Sequence, residues 1–305
     1  TTINTFVVAR LASLPGTVGG LQSLPAAILA TSAAAVAQAV VANRPGVAAE
    51  AVLSTVMAAT VLCALLTGAS LLVMGQLRAG RLVRFLPYPV IGGVIAGSGW
   101  LLAHGAVGIA AGNQGLWHAV PTVVWALLMF GVSLRQPHPL ATLAMMVLGV
   151  AVFWGGAWLM GAEPAELLRQ GWLLGSSSGD APMPALPWPT FAAIDWPAAA
   201  SVAGSLATVP LVTAVALLLN AASLENAVRR PVDFNRELRA AGVANLAGGV
   251  FGGFVGYQQL GLSAMTLRSG AGSRWVGAWA ALFCLAALAI GPDALAWVPR
   301  PVLGA

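Results

Sequence analysis

Two serines stand where a chain can offer an anion a hydroxyl together with free backbone N–H groups. Ser23, preceded by Gln22, opens an apolar run after a stretch broken by Pro15, Gly16, Gly19 and Gly20. Serine is favoured at a helix N-cap and proline is tolerated in the first turn, so a helix is expected from Ser23, with Pro25 just inside it. Ser263 has a similar setting, following Tyr257 and a glycine-rich stretch, and a short helix is expected to start near it. The first N–H groups of a helix lack an intrahelical acceptor and carry partial positive charge. Gln22, Ser23, Tyr257, Gly261, Leu262, Ser263 and Ala264 are therefore the candidate binding residues. Each hydroxyl is equally suited to capping its own helix, and Tyr257 to anchoring at a membrane interface.

Glu225 is the acidic candidate. It follows the uncharged stretch 196–224, and an acid at membrane depth is a functional hypothesis by default, here a Na+ or H+ site for coupling. Arg229, four residues on, offers an alternative ion pair. His104 and His118 lack partners at metal-ligand spacing, and Cys63 and Cys284 lie inside apolar runs, as small buried hydrophobes do. No metal or organic cofactor is expected. With no phosphate-binding loop, zinc-protease motif, nucleophilic triad or paired-carboxylate set, neither an enzyme nor an ATP-driven pump is expected.

The elements that position these residues must lie in a bilayer. Of 305 residues, 59% are hydrophobic and 8% charged, with mean hydropathy +0.87, where soluble domains carry about 25% charged residues. The net charge of +5 comes from 14 basic residues, all arginine, in short clusters between apolar runs. That placement serves membrane orientation rather than nucleic acid. Tryptophans such as Trp117, Trp172, Trp188 and Trp196 read as interfacial belts. The chain opens on Thr1 without the pattern of a cleavable signal peptide.

Uncharged stretches at 11–43, 51–77, 85–134, 136–162, 196–224, 240–267 and 275–292 accommodate nine crossings, two of them in 85–134 about a turn at Gly112 to Gly115 and two in 240–267. Placing Arg10 in the cytoplasm groups Arg78, Arg81, Arg84, Arg135, Arg229, Arg230, Arg236, Arg239, Arg268 and Arg274 with it. Arg44, Arg169, Arg300 and the loop 163–196 then lie outside, as the positive-inside rule prefers. Stretch 240–267 must go out and return in 28 residues, where two full helices need about 40. An extended piece at Tyr257 to Leu260 meets the demand, leaving a half-helix that begins near the midplane. The helix from Ser23 begins partway across in the opposite sense. Irregular backbone at membrane depth is tolerated where it lines a cavity, and facing half-helix starts suit an anion. Spacings Gly93 to Gly97 and Gly248 to Gly252 suggest close helix packing.

Three strings carry a family resemblance, namely RLVRFLPYPVIGGVIAGSGW (81–100), SLENAVRRPVDFNRELRAAGVAN (223–245) and GYQQLGLSAMTLRSGAGSRWVG (256–277), with weaker support from Ser13-Leu-Pro-Gly and Leu24-Pro-Ala-Ala-Ile-Leu-Ala. Together they resemble the sulfate permease (SulP) family of anion transporters. The resemblance implies an all-α polytopic membrane protein, part of a seven-plus-seven inverted repeat like that of uracil permease, with short extended segments before two half-helices. It places 1–162 in the first repeat (end of span two to span seven), 163–196 in an extracellular connection, and 197–305 in the second repeat (span eight to the start of span twelve). A C-terminal STAS domain is expected in the full protein, and a homodimer is one assembly the resemblance allows. Gly261 stands where many relatives have Ser and Thr266 where others have Asn, so backbone donors near Leu262, Ser263 and Ala264 would carry binding.

The expected function is secondary active transport of an inorganic anion of the sulfate, bicarbonate or chloride class by alternating access, in a bacterial inner (plasma) membrane. A nucleobase carrier of the same fold and a non-transporting sensor or scaffold are the alternatives.

Overall fold

The computed structural model describes residues 1–44, 47–85, 88–111, 115–135, 139–173, 193–290 and 297–303. Trp188, most of the connection 163–196 and residues 112–114 of the expected turn lie outside these. The chain is mostly helical and divides into two compact units, Thr1–Ile91 with Pro184–Leu285, and Gly92–Met183 with Ala286–Ala305. Among the described residues four helices are long and apolar enough to cross a membrane, at Ser23–Asn43, Ala49–Gln76, Trp117–Arg135 and Ala203–Val228.

The first unit contains α1 (Thr2–Leu11), β1 (Gly19–Leu21), α2 (Ser23–Asn43), α3 (Ala49–Gln76), a 3-10 segment (Ala79–Phe85), α8 (Trp196–Ser201), α9 (Ala203–Val228), α10 (Phe234–Val250), β2 (Gly256–Gln258), α11 (Leu260–Arg268) and most of α12 (Trp275–Ile290). α10 packs along α3 and against α1. A Cβ on Gly68 would lie 2.7 Å from the Leu246 nitrogen, and one on Gly242 2.7 Å from the Leu72 nitrogen. The backbones therefore meet with nothing between them, as small residues permit in bilayers. Among the described residues the expected close packing is not found at Gly93, Gly97 or the buried Gly248, since a Cβ on any of them would meet nothing within 4 Å. Spacing along one helix does not choose the neighbour.

Apolar side chains fill the rest. Leu29, Val36 and Val40 of α2 meet Cys63 of α3 and Val209 of α9, while Leu71, Leu217 and Leu238 gather around Tyr257. Cys63 is fully buried, as expected, whereas Cys284 is half-buried, and both are free.

The second unit holds most of α4 (Tyr88–Ala111), a 3-10 turn (Leu116–Ala119), α5 (Val120–Arg135), α6 (Pro139–Leu159), α7 (Pro164–Arg169) and α13 (Arg300–Leu303). His118 packs against Trp172 with ring centroids 4.5 Å apart and planes tilted by 39°, and His104 is exposed. Among the described residues no cluster could hold a metal ion.

Several charged residues of the first unit make specific contacts. Arg44 lies 3.6 Å from Asp195, which also caps α8 by accepting the Ala198 N–H at 3.1 Å. Arg274 donates to the Ala9, Arg10 and Ala12 carbonyls, Arg236 to that of Leu11 and Arg268 to that of Ala227. These arginines satisfy carbonyls at the C-terminal ends of α1 and α9, which a helix leaves without partners and with partial negative charge.

Candidate functional site

Glycine makes the centre of the first unit possible. β1 and β2 form a two-stranded antiparallel ribbon with Gly19 opposite Gln258, Gly20 opposite Tyr257 and Leu21 opposite Gly256. A Cβ on Gly256 would lie 2.4 Å from the Gly20 oxygen, so no larger residue allows this approach. Asn245 of α10 satisfies the same glycine twice, accepting its N–H at 2.9 Å and donating to its carbonyl at 2.7 Å.

Each strand runs directly into a helix. Because the strands are antiparallel, α2 leaves one end of the ribbon and α11 leaves the other, so two helix starts are separated by about 7 Å of paired strand. The N-caps correspond. Gln22 Nε2 donates to the Tyr257 and Gln258 carbonyls at 3.2 Å, while Gln259 Nε2 donates to the Leu21 carbonyl at 3.2 Å. Each cap thus clasps the opposite strand.

The helix starts differ in detail from the sequence expectation. α2 has Gln22 rather than Ser23 at the N-cap, and Ser23 is its first helical residue. α11 begins at Leu260, three residues before the expected Ser263, and the extended piece is Gly256–Gln258 rather than Tyr257 to Leu260. The Ser263 N–H consequently donates to the Gln259 carbonyl at 3.0 Å. The groups lacking intrahelical acceptors are the N–H groups of Leu260, Gly261 and Leu262 on α11 and of Ser23 and Leu24 on α2, where Pro25 has none to give. Ser23, Leu24, Gly261 and Leu262 are exposed.

Ser263 itself is fully buried. Its hydroxyl accepts the Val18 N–H at 3.0 Å and lies 3.3 Å from the Val18 carbonyl. Thr266, one turn later, donates to the Gly16 carbonyl at 2.6 Å. Ser263 and Thr266 thus fasten α11 to the segment leading into β1. Tyr257 is buried against α9 and α10, and Ala264 is half-buried on α11.

Glu225 is half-buried near the end of α9 and accepts the Val232 N–H at 2.8 Å. Among the described residues it forms no ion pair with Arg229, whose backbone turns left-handed at φ 52° to end the helix. The contacts missed in sequence are those of Glu237 and Asn245, both buried. Their only sequence signal is polarity inside α10. Glu237 Oε1 accepts the Ser13 N–H at 2.7 Å and the Ser13 hydroxyl at 2.6 Å.

A multi-pass helical membrane protein with two helices broken at one short ribbon is the class this architecture defines. The particular lineage is given by comparison with known proteins. The model of the sulfate permease family matches residues 2–169 and 117–305, and the chain belongs to that family of membrane anion transporters. It is a transporter, not an enzyme. The fold is that of the solved transmembrane domain of a cyanobacterium bicarbonate transporter, BicA, with TM-score 0.63 and 21% identity over 99% of this chain and 77% of the other. No curated protein matches the sequence. Family membership sets aside the nucleobase-carrier alternative.

Proposed function

We propose that the protein is a secondary carrier that moves an inorganic anion of the sulfate, bicarbonate or chloride class by alternating access. The observation that carries this reading is the pair of helix starts at the ends of the β1–β2 ribbon, each presenting unbonded N–H groups on an exposed face. Anions favour such termini through both the free donors and the helix dipole. Donors of this kind come from the backbone, so they survive the departures at Gly261 and Thr266. The proposed binding set is Gln22, Ser23, Tyr257, Gly261, Leu262, Ser263 and Ala264, with the exposed N–H groups of Gly261 and Leu262 touching the anion and Ser263 and Tyr257 holding the frame. The structural relative is named for bicarbonate, which makes that ion the first to test.

The correspondence of Gln22 with Gln259 supports a seven-plus-seven inverted repeat in which 1–162 and 197–305 contribute related halves joined by 163–196. Coupling to Na+ or H+ is assigned to Glu225, on the ground that the acid ends an uncharged span. A homodimer, a STAS domain in the full protein and a bacterial inner membrane belong to the same proposal.

Uptake of labelled bicarbonate, sulfate, chloride and dicarboxylates into liposomes containing the full protein tests it. Accumulation of at least one anion against protein-free liposomes is expected. Anion binding without flux points instead to a sensor or scaffold, and overturns the carrier reading.

A further inference from the structure

Glu237 is one of two charged side chains buried among the described residues, and the other, Asp195, has Arg44 beside it. Glu237 has no cation within ion-pair distance among the described residues. Arg236, next to it in sequence, sends its guanidinium to the Leu11 carbonyl instead. Both donors on the Glu237 carboxyl come from Ser13 and both reach Oε1, while Oε2 is sealed from solvent without a hydrogen-bond partner.

This is an unbalanced arrangement. As a carboxylate the group gains two charge-assisted bonds but buries charge on Oε2 with no donor. As a carboxylic acid it loses the charge but holds Ser13 less strongly. Burial and the Ser13 donors therefore pull the group in opposite directions. The charged groups acting on it along α10 are Arg236 and Asp233. Of the elements packed on α10, α1 carries Arg10, which lies over the Phe6 and Trp275 rings, and α9 carries Glu225, bonded to Val232. The 3-10 segment carries Arg81 and Arg84, and α3 has Glu50 in its first turn. β2 carries no formal charge and contributes Tyr257.

Ser13 sits at the head of the segment that Thr266 holds at Gly16 and Ser263 at Val18 before it enters β1. We propose that Glu237 is a positioning residue of the transport site, binding and releasing one proton exchanged with bulk water and thereby setting how firmly Ser13 and the segment leading into β1 are held. Anion flux then depends on pH through the geometry of the α2 start, without Glu237 touching the anion. The effect on flux rests on the carrier reading above, whereas the proton-dependent hold on Ser13 does not.

Two measurements on the full protein separate these. Thermal unfolding in detergent, without anion gradients, is compared for wild type, Glu237→Gln and Ser13→Ala between about pH 5 and about pH 8. The wild-type melting temperature should move relative to Glu237→Gln by about 3 °C across this range, because proton binding is linked to folding only where the carboxyl titrates. A constant difference overturns the proposal, whether or not any anion is carried. Flux of labelled bicarbonate, sulfate and chloride should change about tenfold across the same range in wild type and less than about twofold in Glu237→Gln. An unchanged pH profile in the variant overturns it. Absence of flux from wild type defeats the carrier reading and leaves the melting comparison to decide the proton-dependent hold. Should Glu237→Gln fail to fold, Ser13→Ala retains one donor and is expected to displace the wild-type pH midpoint upward, because it removes a bond that favours the carboxylate. No displacement is the opposing result.

Discussion

The Ser263 hydroxyl, fully buried on α11, accepts the Val18 N–H at 3.0 Å from the segment that precedes the other half-helix. One side chain thus ties the start of one broken helix to the approach of the other. Replacing it by Ala should leave the Val18 N–H buried and unbonded, a loss of about 1–3 kcal/mol. Lower thermal stability and at least a tenfold loss of flux are expected. Ser263→Trp should abolish flux while the protein still inserts, and wild-type uptake in both variants would show that the contact does not matter.

Gly256 should tolerate nothing larger. Its Cβ would lie 2.4 Å from the Gly20 oxygen, so Gly256→Ala must part the ribbon that sets the two helix starts. Flux should fall to background, with a stability loss of about 1–3 kcal/mol from overpacking. Gly261→Ala provides the contrast, because open space adjoins Gly261 and its N–H remains. It should insert normally and keep its flux within about tenfold of wild type, the cost of about 1.4 kcal/mol in the barrier. Equal losses in the two variants would separate transport from the ribbon geometry.

Glu225 accepts the Val232 N–H, a bond the Gln side-chain oxygen can also accept. Glu225→Gln should therefore keep the fold while removing the charge. If the carboxylate carries the coupling ion, flux in this variant no longer responds to an imposed Na+ or proton gradient. Retention of the wild-type gradient response removes Glu225 from coupling.

Asp195 and Arg44 should respond unequally although they form a pair. Asp195 is buried and caps α8, whereas the Arg44 side chain is 56% exposed at 3.6 Å. Asp195→Ala is expected to cost about 1–2 kcal/mol through the lost cap, and Arg44→Ala no more than about 1 kcal/mol. Thermal unfolding of the two variants measures this, and a larger loss for Arg44→Ala contradicts it.

Much of the architecture was legible for reasons that act locally. The Pro/Gly content of 14–22 stops a helix, so the α2 start was correct to one residue. The short return between Arg239 and Arg268 required an extended piece, and β2 overlaps it at Tyr257 and Gln258. The α11 start was misplaced because a serine was expected to cap its own helix. Strand pairing instead holds the backbone extended through Gln258, and the helix begins as soon as the ribbon ends, which frees Ser263 to bond Val18. The expected glycine contacts failed for a related reason, since Gly68 and Gly242 meet across two helices far apart in sequence.

By itself the sequence determined that the chain lives in a bilayer and that two helices start at breaks within apolar stretches. Those follow from transfer energies and from the rise per residue, both properties of contiguous segments. Only the tertiary structure decided which groups at the break remain free and which are consumed. Ser13 and Glu237 stand 224 residues apart, and Val18 and Ser263 stand 245 apart. Hydrogen-bond partners across such separations are chosen by how the helices pack, which no local spacing records.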